Sequence, residues 1–189
     1  PAFQALQTQV NNSAVGTNLI SGSTLEKNWH AQSPATASLD AINFVTFTKS
    51  TTSSARQGYV HSTQSGFLPS QYYTLSAEIY IVSVSGSGTD NDMHFRSYDS
   101  NLNATGTWLA TLDTSKVSVW QKLVVTGKTP ADVSGGLDFG LSISGGITGV
   151  FKIWNFKLEK GTTATDWCPN PSEILTQSDY SKIKAAIVA

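Results

Sequence analysis

Charge and cysteine are both scarce in this sequence, and each shortage excludes a class of function. Charged residues make up 13% of the 189 residues and the formal net charge is -1. The chain therefore lacks the basic face that binding to nucleic acid or to an anionic membrane surface requires. Cys168 is the only cysteine, which excludes an internal disulfide and a zinc site built on cysteines. The apolar runs are too short to span a membrane.

Catalytic motifs are also missing. The sequence contains neither a G-x-S-x-G nucleophile elbow nor an H-E-x-x-H metal motif, and its three histidines are scattered without ligand spacing. Glycoside hydrolysis needs two carboxylates at a set separation. No spacing among the 13 acidic residues indicates such a pair. We therefore expect a protein without enzymatic activity.

The pattern along the chain separates three zones. We predict a helical connector over residues 1–15, a β-sandwich module over 16–168, and a linker with a C-terminal helix over 169–189. Apolar residues recur at helical spacing in both end zones, and Ser178 is expected to cap the second helix. The alternative is that both ends are frayed segments packed on the domain. Because the chain starts with proline and has no signal peptide, we expect a fragment of a longer polypeptide.

The middle zone predicts an all-β fold. About a quarter of the chain is serine or threonine, as is common on extracellular β-proteins. Segments rich in β-branched and aromatic residues, separated by Gly/Ser/Asn/Asp clusters, occur at 42–48, 73–84, 92–98, 106–112, 119–126, 137–144 and 150–158. Several short strands with no helical pattern between them predict an antiparallel β-sandwich, of which the jelly roll is one form.

Alternation within two of these segments predicts a polar outer surface. Apolar residues alternate with polar or aromatic ones in 73–84 and again in 92–98, so each strand should bury one face. If the two strands pair through the intervening "SGSGTDN" turn, their outer faces merge. The merged face would hold Glu78, Tyr80, His94, Arg96 and Tyr98. Aromatic rings stack on the apolar faces of sugars while polar side chains bind the hydroxyls, so we predict a sugar-binding groove. The alternative is an ordinary solvent-facing sheet.

The five tryptophans divide into two groups. Trp108, beside a Gly/Asn-rich loop, and Trp29, in a loop-like stretch, are candidates for stacking on sugar because exposed loop tryptophans are costly unless used. The alternative for both is a plug at one end of the sandwich. Trp120, Trp154 and Trp167 are assigned to structure. Replacement of Trp154 by alanine is therefore expected to cost about 3–5 kcal/mol, whereas replacement of Trp108 should leave stability nearly unchanged.

A metal site is only weakly indicated. The acidic turn "DND" at 90–92 offers oxygen atoms of the kind that bind Ca²⁺. Aspartate and asparagine are equally typical of Asx-turns, in which their side chains bond to the local backbone. The sequence leaves both interpretations open.

Three parts of the chain together resemble one family. They are "GTNLISGS" near the start, "YTLSAEIYIVS" with the later "WQKLVVTG", and the closing "FKIWNFKLEKGTTATDWCPNPSE". Over residues 16–173 the chain is similar to jelly-roll modules in tail and baseplate proteins of phages that infect Gram-positive bacteria, including lactic-acid bacteria. The closing segment is the most specific part. The expected fold also resembles that of the carbohydrate-binding modules attached to xylanases.

The resemblance implies a module that helps the virion attach to its host. The implied partners are host cell-wall polysaccharide and other phage tail subunits, and the implied location is the tail tip or baseplate, outside the host cell. Some related modules bind structural calcium, but this chain lacks a clear acidic ligand set near its start, so we expect no cofactor. The alternative function is a structural spacer or interaction domain of the baseplate without a ligand.

Overall fold

The computed structural model describes residues 15–174 and 177–188 and contains ten β-strands. The strands are β1 (Trp29–Ala31), β2 (Thr36–Ala41), β3 (Phe44–Lys49), β4 (Gln57–Gln64), β5 (Tyr72–Gly86), β6 (Asp92–Tyr98), β7 (Ala104–Thr111), β8 (Trp120–Lys128), β9 (Gly136–Ile143) and β10 (Ile147–Lys160). A 3-10 helix (Pro171–Glu173) and a helix α1 (Gln177–Val188) follow.

Two five-stranded antiparallel sheets form the body of the protein. The first sheet has the strand order β1-β4-β9-β6-β7, and the second has the order β2-β3-β10-β5-β8. Sequence neighbours such as β5 and β6 lie in different sheets, so the chain repeatedly crosses from one sheet to the other. The antiparallel β-sandwich predicted from the sequence is confirmed.

All seven predicted strands are present, and three strands were missed. β1 has only three residues, which is too short for a periodic signal. β2 ("TASLDA") is exposed along its whole length, so no buried face imposes an alternation of apolar residues on it. β4 ("QGYVHSTQ") buries Gln57 and His61 as well as Tyr59, and buried polar side chains hide a strand from a hydrophobic pattern.

The core lies between the two sheets, and alternate residues of the central strands supply most of it. Fully buried side chains from β9 face those from β5, as the alternation predicted. They are Leu137, Phe139, Leu141 and Ile143 on β9, and Leu75, Ala77, Ile79 and Ile81 on β5. Complete burial of one such large aliphatic or aromatic side chain stabilises the fold by about 1.5–3 kcal/mol.

A buried ion pair lies where the closing segment folds back over β10. The side chains of Lys157 and Glu159 are 0% and 2% exposed, with 3.7 Å between Nζ and Oε2. Lys157 Nζ also donates to Thr165 Oγ1 at 2.8 Å and to the Asp166 carbonyl at 2.6 Å. Glu159 in turn accepts from the Thr165 amide at 3.1 Å. The segment "KLEKGTTATD" therefore closes the sandwich with polar side chains that are packed against one another.

The two ends of the sandwich chain meet at one point. Asn18 donates from Nδ2 to the Cys168 carbonyl at 2.9 Å, and its own carbonyl accepts from Asn170 Nδ2 at 3.1 Å. The Ser23 amide donates to Glu173 at 2.9 Å. The indole of Trp167 donates to the Phe156 carbonyl at 3.0 Å and is half-buried. The segments that precede and follow the sheets are therefore tied side by side.

The structure describes only part of the two predicted end zones. The N-terminal helix predicted over residues 1–15 lies outside the described residues except for Val15. A C-terminal helix is present as α1, but it begins at Gln177, so Ser178 lies inside its first turn and is not the cap. The division of the chain at residues 15 and 168 stays a prediction. None of the helices in the described ranges has the length and apolar character needed to cross a membrane.

Candidate functional site

The structure separates the residues predicted to share one outer face. β5 pairs with β10 and β8 in the second sheet, whereas β6 pairs with β7 and β9 in the first. The "SGSGTDN" turn carries the chain between sheets and does not form a hairpin. Glu78 and Tyr80 therefore lie on the outer face of the second sheet, on the opposite side of the sandwich from the outward side chains of β6. The predicted merged face is wrong. The alternation within each strand was right; the pairing was not.

Trp29 belongs to the core. Its side chain is buried, with 8% of the residue exposed. The indole Nε1 donates to the Gly22 carbonyl at 2.9 Å, and the ring stacks on Tyr59 with 5.5 Å between centroids. Further ring contacts to His61 and Phe156 surround it. Trp29 is thus the plug and not a sugar contact, so its assignment to the binding site is wrong.

Trp108 also points inward. It is the cross-strand partner of Phe95, and the two rings stack with 4.8 Å between centroids. A Cβ placed on Gly127 would lie 2.4 Å from the Trp108 ring, so that glycine provides the space in which the indole packs. The solvent-facing position predicted for Trp108 is wrong. Gly106, two residues before Trp108 on the same strand, was the one local signal, since a Cβ there would lie 2.5 Å from the Trp108 ring.

A polar depression of about 290 Å³ lies on the outer face of the first sheet. It contains His94 and Arg96, two of the predicted binding residues. Its lining comprises Gln32, Arg56, Val60, Asp92, His94, Arg96, Thr107, Leu109 and Ser142. Arg56 was not predicted, because β4 and the segment before it carried no strand signal, and Asp92 was considered only as part of the acidic turn at 90–92.

Asp92 is the fixed anion of the polar depression. Its carboxylate accepts from Arg56 Nη2 at 2.8 Å and from His94 Nδ1 at 3.0 Å. Burial acts to raise the pKa of Asp92, but the hydrogen bonds and charges of His94 and Arg56 together outweigh it and lower that pKa. A carboxylate can only accept, so Nδ1 of His94 is the donor in this bond.

Arg96 and Tyr98 share a second anion. Asp138 on β9 accepts from Arg96 Nε at 3.0 Å and Nη2 at 2.7 Å, a bidentate pair, and from the Tyr98 hydroxyl at 2.7 Å. The bond to Asp138 raises the pKa of Arg96. Burial, followed by the bond to Asp138, raises the pKa of Tyr98 to about 12. The guanidinium lies 5.8 Å from the Tyr98 ring centroid, so all three groups are held in one orientation.

Several hydrogen-bonding groups of the depression remain unused. Arg56 uses one nitrogen and Arg96 two, which leaves further N–H donors on both guanidinium groups. Gln32 accepts from the Gly58 amide through Oε1, so its NH₂ is not engaged by that bond. The surface therefore offers several hydrogen-bond donors in fixed positions. Such a set suits a ligand rich in hydroxyl groups.

Acid is expected to weaken the fold through Asp92. Its folded-state pKa lies below the unfolded value of 3.8, so its stabilising contribution is complete above that value and is lost as the pH falls through the folded pKa. The melting temperature should therefore fall more steeply below pH 4 in the wild type than in Asp92→Asn, measured from pH 2 to 5. Equal acid slopes in the two proteins would contradict this assignment.

An aromatic cluster occupies the outer face of the second sheet. It consists of Phe44, Tyr80, Trp120 and Trp154, one from each of the neighbouring strands β3, β5, β8 and β10. Trp120 is at its centre, with 6.0 Å to Phe44, 5.4 Å to Tyr80 and 5.7 Å to Trp154 between ring centroids. Trp120 and Trp154 are each 40% exposed.

A β-bulge explains why Trp154 faces outward. The four residues of β10 from Trp154 to Lys157 stand opposite only three residues of β5, from Ser76 to Glu78. Asn155 within the bulge has φ 59°, and its side chain pairs with Asn43 at 2.7 Å. The bulge reverses the phase between Trp154 and Phe156. The core position predicted for Trp154 is therefore wrong.

Two side chains of the acidic turn at 90–92 already bind other residues of the protein. Asn91 accepts from the Ser144 amide and donates to the Gly88 carbonyl, each at 2.9 Å, and Asp92 binds Arg56 and His94. Within residues 15–174 and 177–188, no three His, Cys, Asp or Glu side chains converge in a way that could hold a metal ion. The side chains of Asn91 and Asp92 are thus engaged within the fold.

Comparison with known proteins identifies the fold. No family model and no curated protein matches the chain. Among solved structures, the tripod from the baseplate of bacteriophage Tuc2009 is similar at a TM-score of 0.57 and 20% identity, covering 87% of this chain and 62% of that one. The C-terminal family 22 carbohydrate-binding module of Clostridium thermocellum Xyn10B, studied for the role of its cleft in ligand binding, has a TM-score of 0.54 and 15% identity, covering 82% and 99%.

A second phage protein shares the fold. The enzymatically active domain of tailspike protein 4 of bacteriophage CBA120 is similar at a TM-score of 0.56 and 15% identity, over 76% of this chain. The matched region spans only 21% of that tailspike chain and less than two thirds of the Tuc2009 chain. The chain therefore has the β-sandwich fold found in carbohydrate-binding modules and in phage tail and baseplate proteins.

Proposed function

We propose that this chain is a non-catalytic carbohydrate-binding module that takes its ligand in the polar depression of the first sheet. The observation that carries the proposal is the set of locked side chains with unused hydrogen-bonding groups. His94 and Arg96 line the depression, and Asp138 orients both Arg96 and Tyr98. Polar groups fixed before binding lose little conformational freedom when a ligand arrives, and Val60 and Leu109 add apolar contact.

The carboxylates of this face support binding without hydrolysis. A glycosidase needs one carboxylic acid with a raised pKa to protonate the leaving oxygen. The pKa of Asp92 is instead lowered by its partners, and Asp138 is bound by both Arg96 and Tyr98. Each carboxylate thus serves as an acceptor that positions a neighbour.

The biological setting follows from the resemblance and from the fold. Phage tail and baseplate proteins share this sandwich, so we place the module in a virion, outside the host cell, beside other tail subunits. Its ligand there would be cell-wall polysaccharide of the host. Weak binding at each copy would be multiplied by the many copies that one virion presents.

Loss of Arg96 is expected to weaken glycan binding by about ten- to hundredfold, since hydrogen bonds to charged groups contribute about 1.5–3 kcal/mol. The measurement is retardation in native gels that contain xylan, mixed-linked β-glucan or wall polysaccharide extracted from Gram-positive bacteria. Arg96→Ala is compared with Lys160→Ala, which removes one exposed positive charge elsewhere. Thr107→Trp, which fills the depression without breaking an ion pair, should weaken binding equally.

Three results would contradict the proposal. Unchanged retardation of both Arg96→Ala and Thr107→Trp would exclude the depression as the binding site. Absence of retardation and of cell labelling by the wild type would favour a structural spacer of the baseplate. New reducing ends after incubation with wall polysaccharide would show that the module is an enzyme.

A further inference from the structure

The aromatic cluster is not needed to complete the core. The buried indole of Trp29 and the half-buried one of Trp167 donate to backbone carbonyls at 2.9 and 3.0 Å. The Nε1 atoms of Trp120 and Trp154, like the hydroxyl of Tyr80, have no hydrogen-bond partner within the described part of the chain. Contiguous exposed aromatic surface is costly and marks a contact site. These rings therefore present both apolar faces and free polar tips to solvent.

The backbone departs from regular pairing to create this arrangement. The bulge in β10 turns Trp154 outward, and the reciprocal contacts between Asn43 and Asn155 hold it, with 2.7 Å between Nδ2 and Oδ1 and 3.2 Å from the Asn155 amide to the Asn43 Oδ1. Both asparagines have positive φ, 61° and 59°. Two residues in the left-handed backbone conformation thus hold one exposed ring in place. This indicates that the outward position of Trp154 does more than connect the two parts of the strand.

Hydrogen-bonding groups lie directly against the rings. Asn155 Nδ2 donates to Glu78 Oε2 at 2.6 Å, which orients the Glu78 carboxylate and leaves Oε1 unused. Glu78, Lys122 and Asn155 line a polar hollow of about 150 Å³. Lys122 and Trp120 line a second hollow of about 540 Å³ beside it. The Lys122 ammonium joins the two hollows and makes no hydrogen bond to the described residues.

This mixture of groups favours one class of ligand. A protein partner is typically met by an apolar centre with the polar groups at the rim. Here an oriented carboxylate and a free ammonium adjoin the rings themselves, so apolar faces and hydrogen-bonding groups alternate over the length of a few side chains. A sugar ring has the same alternation, with apolar C–H faces and hydroxyls around its edge.

We propose that the aromatic cluster is a second carbohydrate-binding surface. Trp120 and Trp154 stack on pyranose faces, Tyr80 adds a ring and a hydroxyl, and Glu78 and Lys122 bind sugar hydroxyls in the adjoining hollows. The ligand class is a glycan without strong charge, because the surface presents both an anion and a cation. This inference shares its ligand class with the proposed function but none of its residues, since the two surfaces lie on opposite sheets.

The test uses the full chain and the same gels that contain xylan, mixed-linked β-glucan or wall polysaccharide. The double variant Trp120→Ala/Trp154→Ala is expected to bind at least one of these polysaccharides about tenfold more weakly or worse. Val124→Ala is the matched control, because Val124 is a 44% exposed side chain of the same sheet. Thermal unfolding verifies that each variant is folded, and Trp120→Phe, which keeps a ring, should retain most of the binding.

The outcomes separate this inference from the proposed function. Weaker binding in the double variant, with Arg96→Ala unchanged, supports the second surface and overturns the polar depression. Weaker binding in both supports both surfaces. Unchanged binding in the double variant overturns the second surface, and so does a folded wild type that binds none of the three polysaccharides. Self-association in sedimentation that Trp154→Ala abolishes, without any effect on glycan binding, would reassign the cluster to protein contact and also overturn it.

Discussion

Replacement of Lys157 by methionine is expected to destabilise the protein by about 3–5 kcal/mol, the usual effect of removing one partner from a buried ion pair. Methionine matches the length of the lysine side chain but supplies no charge and no donors. The Glu159 carboxylate, 2% exposed, would keep its bonds to Thr165 but lose the neighbouring positive charge. Urea denaturation should show a lower midpoint with an unchanged slope.

Lys160→Met is the matched control for this prediction. Lys160 lies three residues further along the same strand and is exposed, so its replacement should change the free energy of unfolding by less than about 0.5 kcal/mol. The double variant Lys157→Met/Glu159→Gln removes both charges and should recover much of the loss. A Lys157→Met protein as stable as Lys160→Met would show that the pair contributes nothing to the closure of the sandwich.

Replacement of Trp29 by alanine is expected to cost about 3–5 kcal/mol, the range for truncation of a buried tryptophan. The indole fills the space among Tyr59, His61 and Phe156, and its loss also leaves the Gly22 carbonyl without its 2.9 Å donor. Thermal unfolding followed by circular dichroism measures the effect.

Trp154→Ala is the internal comparison. Trp154 is 40% exposed on the outer face, so we expect its removal to cost less than about 1 kcal/mol. The sequence alone assigned a cost of about 3–5 kcal/mol to Trp154→Ala, and the structure instead assigns it to Trp29→Ala. If Trp154→Ala proved the more destabilising of the two, the bulge in β10 and the inward position of Trp29 would both be wrong.

The sequence predicted the class of fold because the core strands obey a simple rule. In β5, β6 and β9 the apolar side chains of the core occupy alternate positions, and turn residues separate the strands. This alternation allows such strands to be predicted from the sequence. β2 and β4 could not be found in this way, since one has no buried face and the other buries polar side chains that hydrogen bonds satisfy.

The site was predicted only in part, because strand pairing is a long-range property. Alternation correctly placed Arg96 and Tyr98 on an outer face, but nothing within β5 or β6 specifies which strand lies beside it. Asp138, which orients both side chains, is distant in sequence and adjacent only through β9. A pattern with a period of two likewise cannot reveal the bulge at Asn155. The one extra residue therefore moved Trp154 from its predicted core position to the outer face.

The contacts that tie Asn18 to Cys168 and Asn170 have a mechanical consequence. A polypeptide that reaches the sandwich at residue 16 departs from it at residue 170 beside the point of arrival. A pulling force applied at residues 16 and 170 would act on this short set of side-chain and backbone hydrogen bonds, and the sheets would lie outside the line of force. A module attached in this manner can be inserted into a surface loop of a larger protein, or deleted from it, with little displacement of the neighbouring backbone.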